Sequence, residues 1–155
     1  MYLEAGRRVG HSDEKLIVGL HVIGFLGNTT HEAADDFYPG YAHTFTKIGK
    51  ERGWPPATRA QFDGLRGPTG ALLIGDAKTV AQKVLYVNEI LGGLSRITFQ
   101  MGVSALLHDK MLRSIERLGT CVAPIIGREL RALDRSPAAM PSQFSPNPPR
   151  LVGQC

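Results

Sequence analysis

Leu16-Ile-Val-Gly-Leu-His-Val-Ile-Gly-Phe-Leu26 is the longest apolar run in the chain, and its reading decides the fold class. The run is continuous, the pattern of a parallel strand covered on both faces, whereas a strand with one wet face alternates apolar and polar residues. It is too short to span a bilayer, and residues 1–15 hold no apolar stretch of the kind a signal peptide needs. A cytoplasmic protein with no membrane partner is therefore expected.

Around this strand the chain divides cleanly. Residues 1–15 are polar, with Gly10 and Ser12-Asp13 as breakers, and read as the end of a helix plus a connecting loop. After the run, Thr29 followed by Glu32 has the capping-box form, so a helix from about Thr30 to Arg52 is expected. Pro39-Gly40 should kink or divide it, because proline removes an internal hydrogen bond. Gly53 stops it, Trp54-Pro55-Pro56 forbids continuation, and Thr58 caps a short helix through Leu65.

Ala71-Leu-Leu-Ile74 reads as a second buried strand, closed by Gly75-Asp76. Asp76 caps a helix with Val80, Val84, Leu85 and Leu91 on one face, which Gly92-Gly93 ends. Arg96 to Gly102 is the third strand, and a loop at Ser104 to Leu107 leads to a last helix from about His108 to Leu133, bent or interrupted at Gly119 and Pro124. Residues 134–155 are rich in Pro, Ser, Asn and Gln and are expected to be disordered, leaving residues 1–133 as the folded part.

Strands alternating with amphipathic helices argue for βαβ units and a parallel sheet, an α/β fold. Periodicity does not separate a barrel segment from a small open sheet. The 155 residues suit one domain, and 43% hydrophobic residues supply a core, but a whole (β/α)8 barrel typically takes about 250 residues. The net charge of +4 is spread among interleaved acidic residues, with Arg7-Arg8 the longest basic run, so no nucleic-acid partner is expected. Cys121 and Cys155 give neither a metal spacing nor a disulfide framework, and His31, His43 and His108 share no ligand spacing. Walker, nucleophilic-serine and dinucleotide glycine motifs are missing from the sequence.

Three stretches resemble the luciferase-like flavin-dependent monooxygenase family. The first is Val18-Gly-Leu-His-Val-Ile-Gly-Phe25 with Glu32-Ala-Ala-Asp-Asp-Phe-Tyr-Pro-Gly-Tyr41 and Ile48-Gly-Lys-Glu-Arg-Gly-Trp-Pro-Pro56. The second is Gly70-Ala-Leu-Leu-Ile-Gly-Asp76 with Thr79-Val-Ala-Gln-Lys83. The third joins Phe99-Gln-Met101, His108-Asp-Lys-Met-Leu-Arg-Ser-Ile115 and Leu118-Gly-Thr-Cys-Val-Ala-Pro124. The resemblance implies a partial (β/α)8 TIM barrel, about three C-terminal β/α units. It implies reduced FMN as cofactor, with F420 in a similar subset, and dioxygen with a small apolar molecule as substrates. These are scaffold motifs more than catalytic ones, so a truncated chain with little or no activity alone, not binding the flavin by itself, is the expectation. The other reading is a non-catalytic α/β remnant or interaction module, paired with another chain or with its own copies through exposed sheet edges.

In a (β/α)8 barrel the active face lies at the carboxyl ends of the strands. Alternation puts Ile17, Gly19, His21, Ile23 and Phe25 on one face of the first strand, with His21 its one polar member. His21 is either a buried, satisfied histidine or a group that bonds substrate and moves a proton. Ile23 makes that face apolar. Gln100 has both donor and acceptor atoms, suited to the carbonyl and N–H edge of an isoalloxazine ring or to an ordinary polar position. Met101 follows it, with core packing the plainer role. His21, Ile23, Gln100 and Met101 are the candidates for a substrate or flavin pocket. Gly75-Asp76 opens a helix that could draw a phosphate, but an Asp at that cap opposes an anion and favours simple capping. Tyr38, Tyr41 and Trp54 are expected to pack the extra helical segment in place.

Overall fold

A computed structural model describes residues 2–103 and 106–134. The elements run α1 (Tyr2–Arg8), a 3-10 turn (Asp13–Lys15), β1 (Gly19–Leu26), α2 (Thr30–Arg52), α3 (Arg59–Arg66), β2 (Leu73–Gly75), α4 (Ala77–Ile90), β3 (Arg96–Gln100), α5 (His108–Arg117), a π-helical turn (Leu118–Val122) and α6 (Ala123–Asp134). The proline-rich stretch from residue 135 and the loop position Ser104 lie outside the described residues. No helix among the described residues is long and apolar enough to cross a membrane.

β1 starts at Gly19, three residues later than the apolar run. Leu16 is buried elsewhere: it lies on Gly6 of α1, where a Cβ would meet Leu16 Cδ2 at 2.3 Å. The missing side chain at Gly6 lets helix and connector touch. α2 begins where expected, with Glu32 N–H donating to Thr29 Oγ1 at 3.0 Å. The return half of the expected box is replaced, because the Glu32 carboxylate accepts from Asn28 Nδ2 at 2.8 Å. α2 then runs unbroken through Pro39 to its left-handed stop at Gly53. Pro39 and Asp35 are both exposed, so the helix carries the proline on its solvent side, where water can replace the donor that the Asp35 carbonyl loses. At α3 the box is complete, since Gln61 N–H donates to Thr58 Oγ1 and Thr58 N–H to Gln61 Oε1. The last helix is interrupted as Gly119 and Pro124 suggest, by one π-helical turn.

The sheet is parallel, in the order β2-β1-β3. β1 pairs with β3 from Gly19↔Arg96 to Ile23↔Gln100, and with β2 from Gly24↔Leu73 to Leu26↔Gly75. Its two neighbours are thus staggered, β3 along its amino half and β2 along its carboxyl end. One face carries Leu20, Val22, Leu26, Leu73, Ile97 and Phe99, which pack with α4, the π turn and α6 through Val80, Val84, Val122 and Ile126. The opposite face is covered only at its carboxyl end, where Phe25 and Ile74 meet Ala33, Ala34, Phe37, Tyr41 and Phe62 of α2 and α3.

Reversing direction across the sheet, from β1 to β2 and then back past β1 to β3, places the two connections on opposite faces when both crossovers share one hand. This arrangement departs from three successive barrel units. In a (β/α)8 barrel each strand lies between the one before and the one after, and all helices stand outside. β1 and β3 meet that description, being clad by helices on one face and bare on the other. β2 extends the sheet on the other edge of β1, and α2 with α3 forms an additional layer over the carboxyl end of the otherwise bare face.

Candidate functional site

The bare face of the β1–β3 pair is a row of register partners: Gly19 beside Arg96, His21 beside Thr98, Ile23 beside Gln100. Partners in a parallel pair point to the same side, so alternation assembles these side chains into one patch. Arg96, Thr98, Gln100 and His21 are exposed and Ile23 is half-buried. His21 is therefore not the buried core histidine that an apolar run first suggests.

Across this patch His21 Nε2 lies 3.1 Å from Gln100 Oε1. A carboxamide oxygen only accepts, so in this bond the imidazole proton sits on Nε2. In the neutral ring that leaves His21 Nδ1 as a lone-pair acceptor, and both protons of the Gln100 amide nitrogen as donors. Thr98, the register partner of His21, adds a hydroxyl with no protein partner among the described residues. The patch therefore offers donor and acceptor atoms side by side, bordered by the apolar Ile23.

Three of the four residues singled out in the sequence, His21, Ile23 and Gln100, share this patch. Met101 does not lie on the bare strand face, because it follows the end of β3 with the opposite alternation, and it is buried. Thr98 is the residue that sequence reasoning misses, since threonine within a strand is an ordinary β-former.

Asp76 does what capping chemistry predicts: Thr79 N–H donates to its Oδ1 at 2.7 Å, and its own N–H donates to Thr30 Oγ1 at 3.2 Å. The amino end of α4 is thereby filled by its own carboxylate. Tyr38 and Tyr41 pack on Phe62 with ring centroids 5.3 Å and 5.0 Å away, as expected for anchors of the extra layer. Trp54 is instead exposed, with the Arg52 guanidinium 5.2 Å over its ring.

Lys83 was not singled out, yet among the described residues it is the buried cation. Its ammonium donates to the carbonyls of Leu72 and Arg66, tying α4 to the approach to β2. Burial, with Arg66 nearby, pulls it down to about 8. Among the described residues there is no group of three His, Cys, Asp or Glu side chains placed to hold a metal ion.

For a flavin, the test of fit is the donor set. An isoalloxazine edge presents carbonyl acceptors and an N–H donor, and the Gln100 amide protons, the Thr98 hydroxyl and His21 Nδ1 are the kinds of donor and acceptor that would hold such an edge. Were a reduced flavin held there, it would supply the electrons that activate dioxygen.

No protein-family model and no curated protein sequence matches the chain. Among solved structures it is similar to the oxygenating constituent of 3,6-diketocamphane monooxygenase from Pseudomonas putida, a type II Baeyer-Villiger monooxygenase in complex with FMN. The two share 20% identity with a TM-score of 0.50 over 79% of this chain and 37% of that one. At this identity the likeness shows a shared fold, and this chain spans well under half of that enzyme's length.

Proposed function

We propose that this chain forms one wall of a flavin-dependent oxidoreductase pocket of the luciferase-like monooxygenase class. The bare face of β1 and β3 faces reduced FMN, with F420 as the alternative carrier, and an apolar substrate that reacts with dioxygen. The observation that carries this reading is the His21–Gln100 hydrogen bond on a strand face without helix cover. A polar pair at adjacent strand positions, exposed and bordered by an apolar side chain, is the makeup of a ligand wall. The fold likeness to an FMN-bound monooxygenase supports the same reading.

His21 orients the ligand through Nδ1 and holds or returns a proton there. Gln100 donates to a carbonyl edge, and Thr98 completes the row. Ile23 excludes water on the side toward β2. In this reading β1 and β3 are neighbouring staves of a partial barrel. Because one wall encloses nothing, the chain alone has little or no activity.

The purified chain mixed with FMN should keep no yellow colour through gel filtration and show no flavin-dependent oxygen uptake. Stoichiometric FMN retention by the chain alone would overturn the partial-wall reading. Joined behind the amino-terminal strands of a complete flavin barrel, the chain should retain FMN. His21→Ala with Gln100→Ala should weaken that retention about tenfold, the loss of one to two hydrogen bonds. A folded fusion that ignores FMN would sink the flavin reading itself.

A second reading, an interaction module without catalysis, draws on the exposed apolar residues Ile17, Leu107, Leu112 and Ile115. They lie on the connector to β1 and on or beside α5, where another chain or a second copy would cover them. A concentration-dependent mass in sedimentation, unchanged by flavin, is the outcome that favours it.

A further inference from the structure

A cleft of about 190 Å³ opens at the carboxyl end of β1, between α2 and α5. Phe25, Leu26 and Gly27 form its floor. Its two sides are facing stripes of charge. Lys110, Arg113 and Arg117 follow one another at helical spacing along one side of α5. Asn28, Glu32 and Asp36 recur every fourth residue at the start of α2 opposite them.

The two ends of this arrangement are closed by direct contact. Lys110 Nζ donates to Asp36 Oδ1 at 2.5 Å, and Arg117 donates to the Asn28 side-chain carbonyl, whose amide in turn donates to Glu32 at 2.8 Å. The middle rung is not closed. Arg113 makes no hydrogen bond or ion pair among the described residues, although Glu32 lines the same cleft. Lys110 is matched by Asp36, whereas Arg117 meets the neutral carboxamide of Asn28, so Arg113 and Arg117 share the single carboxylate of Glu32 and one positive charge in the cleft is uncompensated.

α5 is fixed in this position by a buried bond. Leu26 N–H donates to Ser114 Oγ at 2.8 Å, and Ser114 is fully buried. The residue beside Arg113 is therefore pinned to the floor, so the guanidinium is carried by a fixed stretch of backbone. A water takes about 30 Å³ of liquid volume, so the cleft has room for a small oxyanion with a few waters beside it.

We infer that this cleft binds a small oxyanion, a phosphate group or a carboxylate, with Arg113 as its principal ligand and Arg117 and Lys110 beside it. The planar guanidinium presents paired N–H donors matched to two oxygens of such a group. Glu32 and Asp36 keep the site selective for low charge, since every further negative charge on the ligand meets their carboxylates. The site is separate from the His21–Gln100 patch and does not depend on the flavin reading.

The test is calorimetric titration of the full chain with inorganic phosphate, and separately with acetate, at matched ionic strength. Saturable binding of either should weaken about tenfold in Arg113→Gln and be unchanged in Arg128→Gln, an exposed arginine of α6 outside the cleft. Glu32→Gln should tighten it about threefold by removing a like charge. Phosphate binding without acetate binding assigns the phosphate source, and the reverse assigns the carboxylate. Absence of saturation with both anions, equal weakening by Arg128→Gln, or weakening by Glu32→Gln would overturn the site. Thermal midpoints measured without ligand confirm that the variants fold.

Discussion

His21 and Gln100 are joined by a 3.1 Å hydrogen bond that runs diagonally across β1 and β3, since His21 pairs in register with Thr98 and Gln100 with Ile23. Both are exposed, so the bond competes with water on every side. Its removal should do little to the fold: His21→Ala or Gln100→Ala is expected to lower unfolding free energy by under about 1 kcal/mol. Phe25→Ala, on the same strand but in the core beneath α2, should lose about 3–5 kcal/mol. Urea denaturation of the three variants checks this. A loss above about 2 kcal/mol for His21→Ala would mark the pair as structural, contrary to a ligand-facing role.

Lys83 makes stability depend on pH in a defined direction. Its folded value is about 8 against an ordinary 10.5, lowered first by burial and then by Arg66. Between these values the unfolded chain holds a proton that the folded chain has released, so stability rises as pH climbs from about 8 toward 10.5. Below pH 8 the cost of the buried charge is fully present. Lys83→Met removes that cost but leaves the carbonyls of Leu72 and Arg66 without their donor. The stability advantage of the native chain over Lys83→Met should therefore grow with pH. Urea midpoints at pH 7, 8.5 and 10 measure it, and a constant difference would contradict the linkage.

What was legible in the sequence was what short-range chemistry determines. The continuous run at Leu16–Leu26 marks a strand, although β1 begins at Gly19 and is covered on both faces only toward its carboxyl end, and Thr29, Thr58 and Asp76 mark helix starts, because a cap needs only its own next three residues. The alternation of β1 and β3 also places His21, Ile23 and Gln100 on one face once the strands pair. Pairing itself was not legible. That β1 sits between β2 and β3 depends on register between segments about fifty residues or more apart, which hydrophobic period does not encode. Lys83 escaped notice for the same reason. A lysine in a helix usually lies in water, and only the distant carbonyls of Arg66 and Leu72 make its burial tolerable.

Gly24 is the point where the staggered sheet allows no side chain. A Cβ there would meet Phe99 Cδ1 at 2.3 Å and the Leu73 carbonyl at 3.0 Å, one on each neighbouring strand. The Phe99 ring lies across β1 only because that atom is missing. Gly24→Ala should therefore cost about 1–3 kcal/mol, the usual range for overpacking a filled core. Gly102→Ala, where nothing lies within 4 Å, should change stability far less. Thermal unfolding of both variants tests the comparison, and equal effects would show that Phe99 swings away freely.

Ser114 holds α5 against the end of β1 through a single buried hydroxyl. Leu26 N–H donates to it, and neither residue has access to water that could replace the bond. Ser114→Ala strands that N–H and should cost about 1–3 kcal/mol, more than the removed oxygen would cost on the surface. The effect should be local first, because α5 also carries the Lys110–Asp36 contact that closes one end of the cleft. Amide hydrogen exchange is the measurement that resolves this. Leu26 should lose protection in Ser114→Ala while Val22, paired along β3, keeps its own. If the two amides exchange alike, the bond serves the whole sheet, and the orientation of Arg113 has some other support.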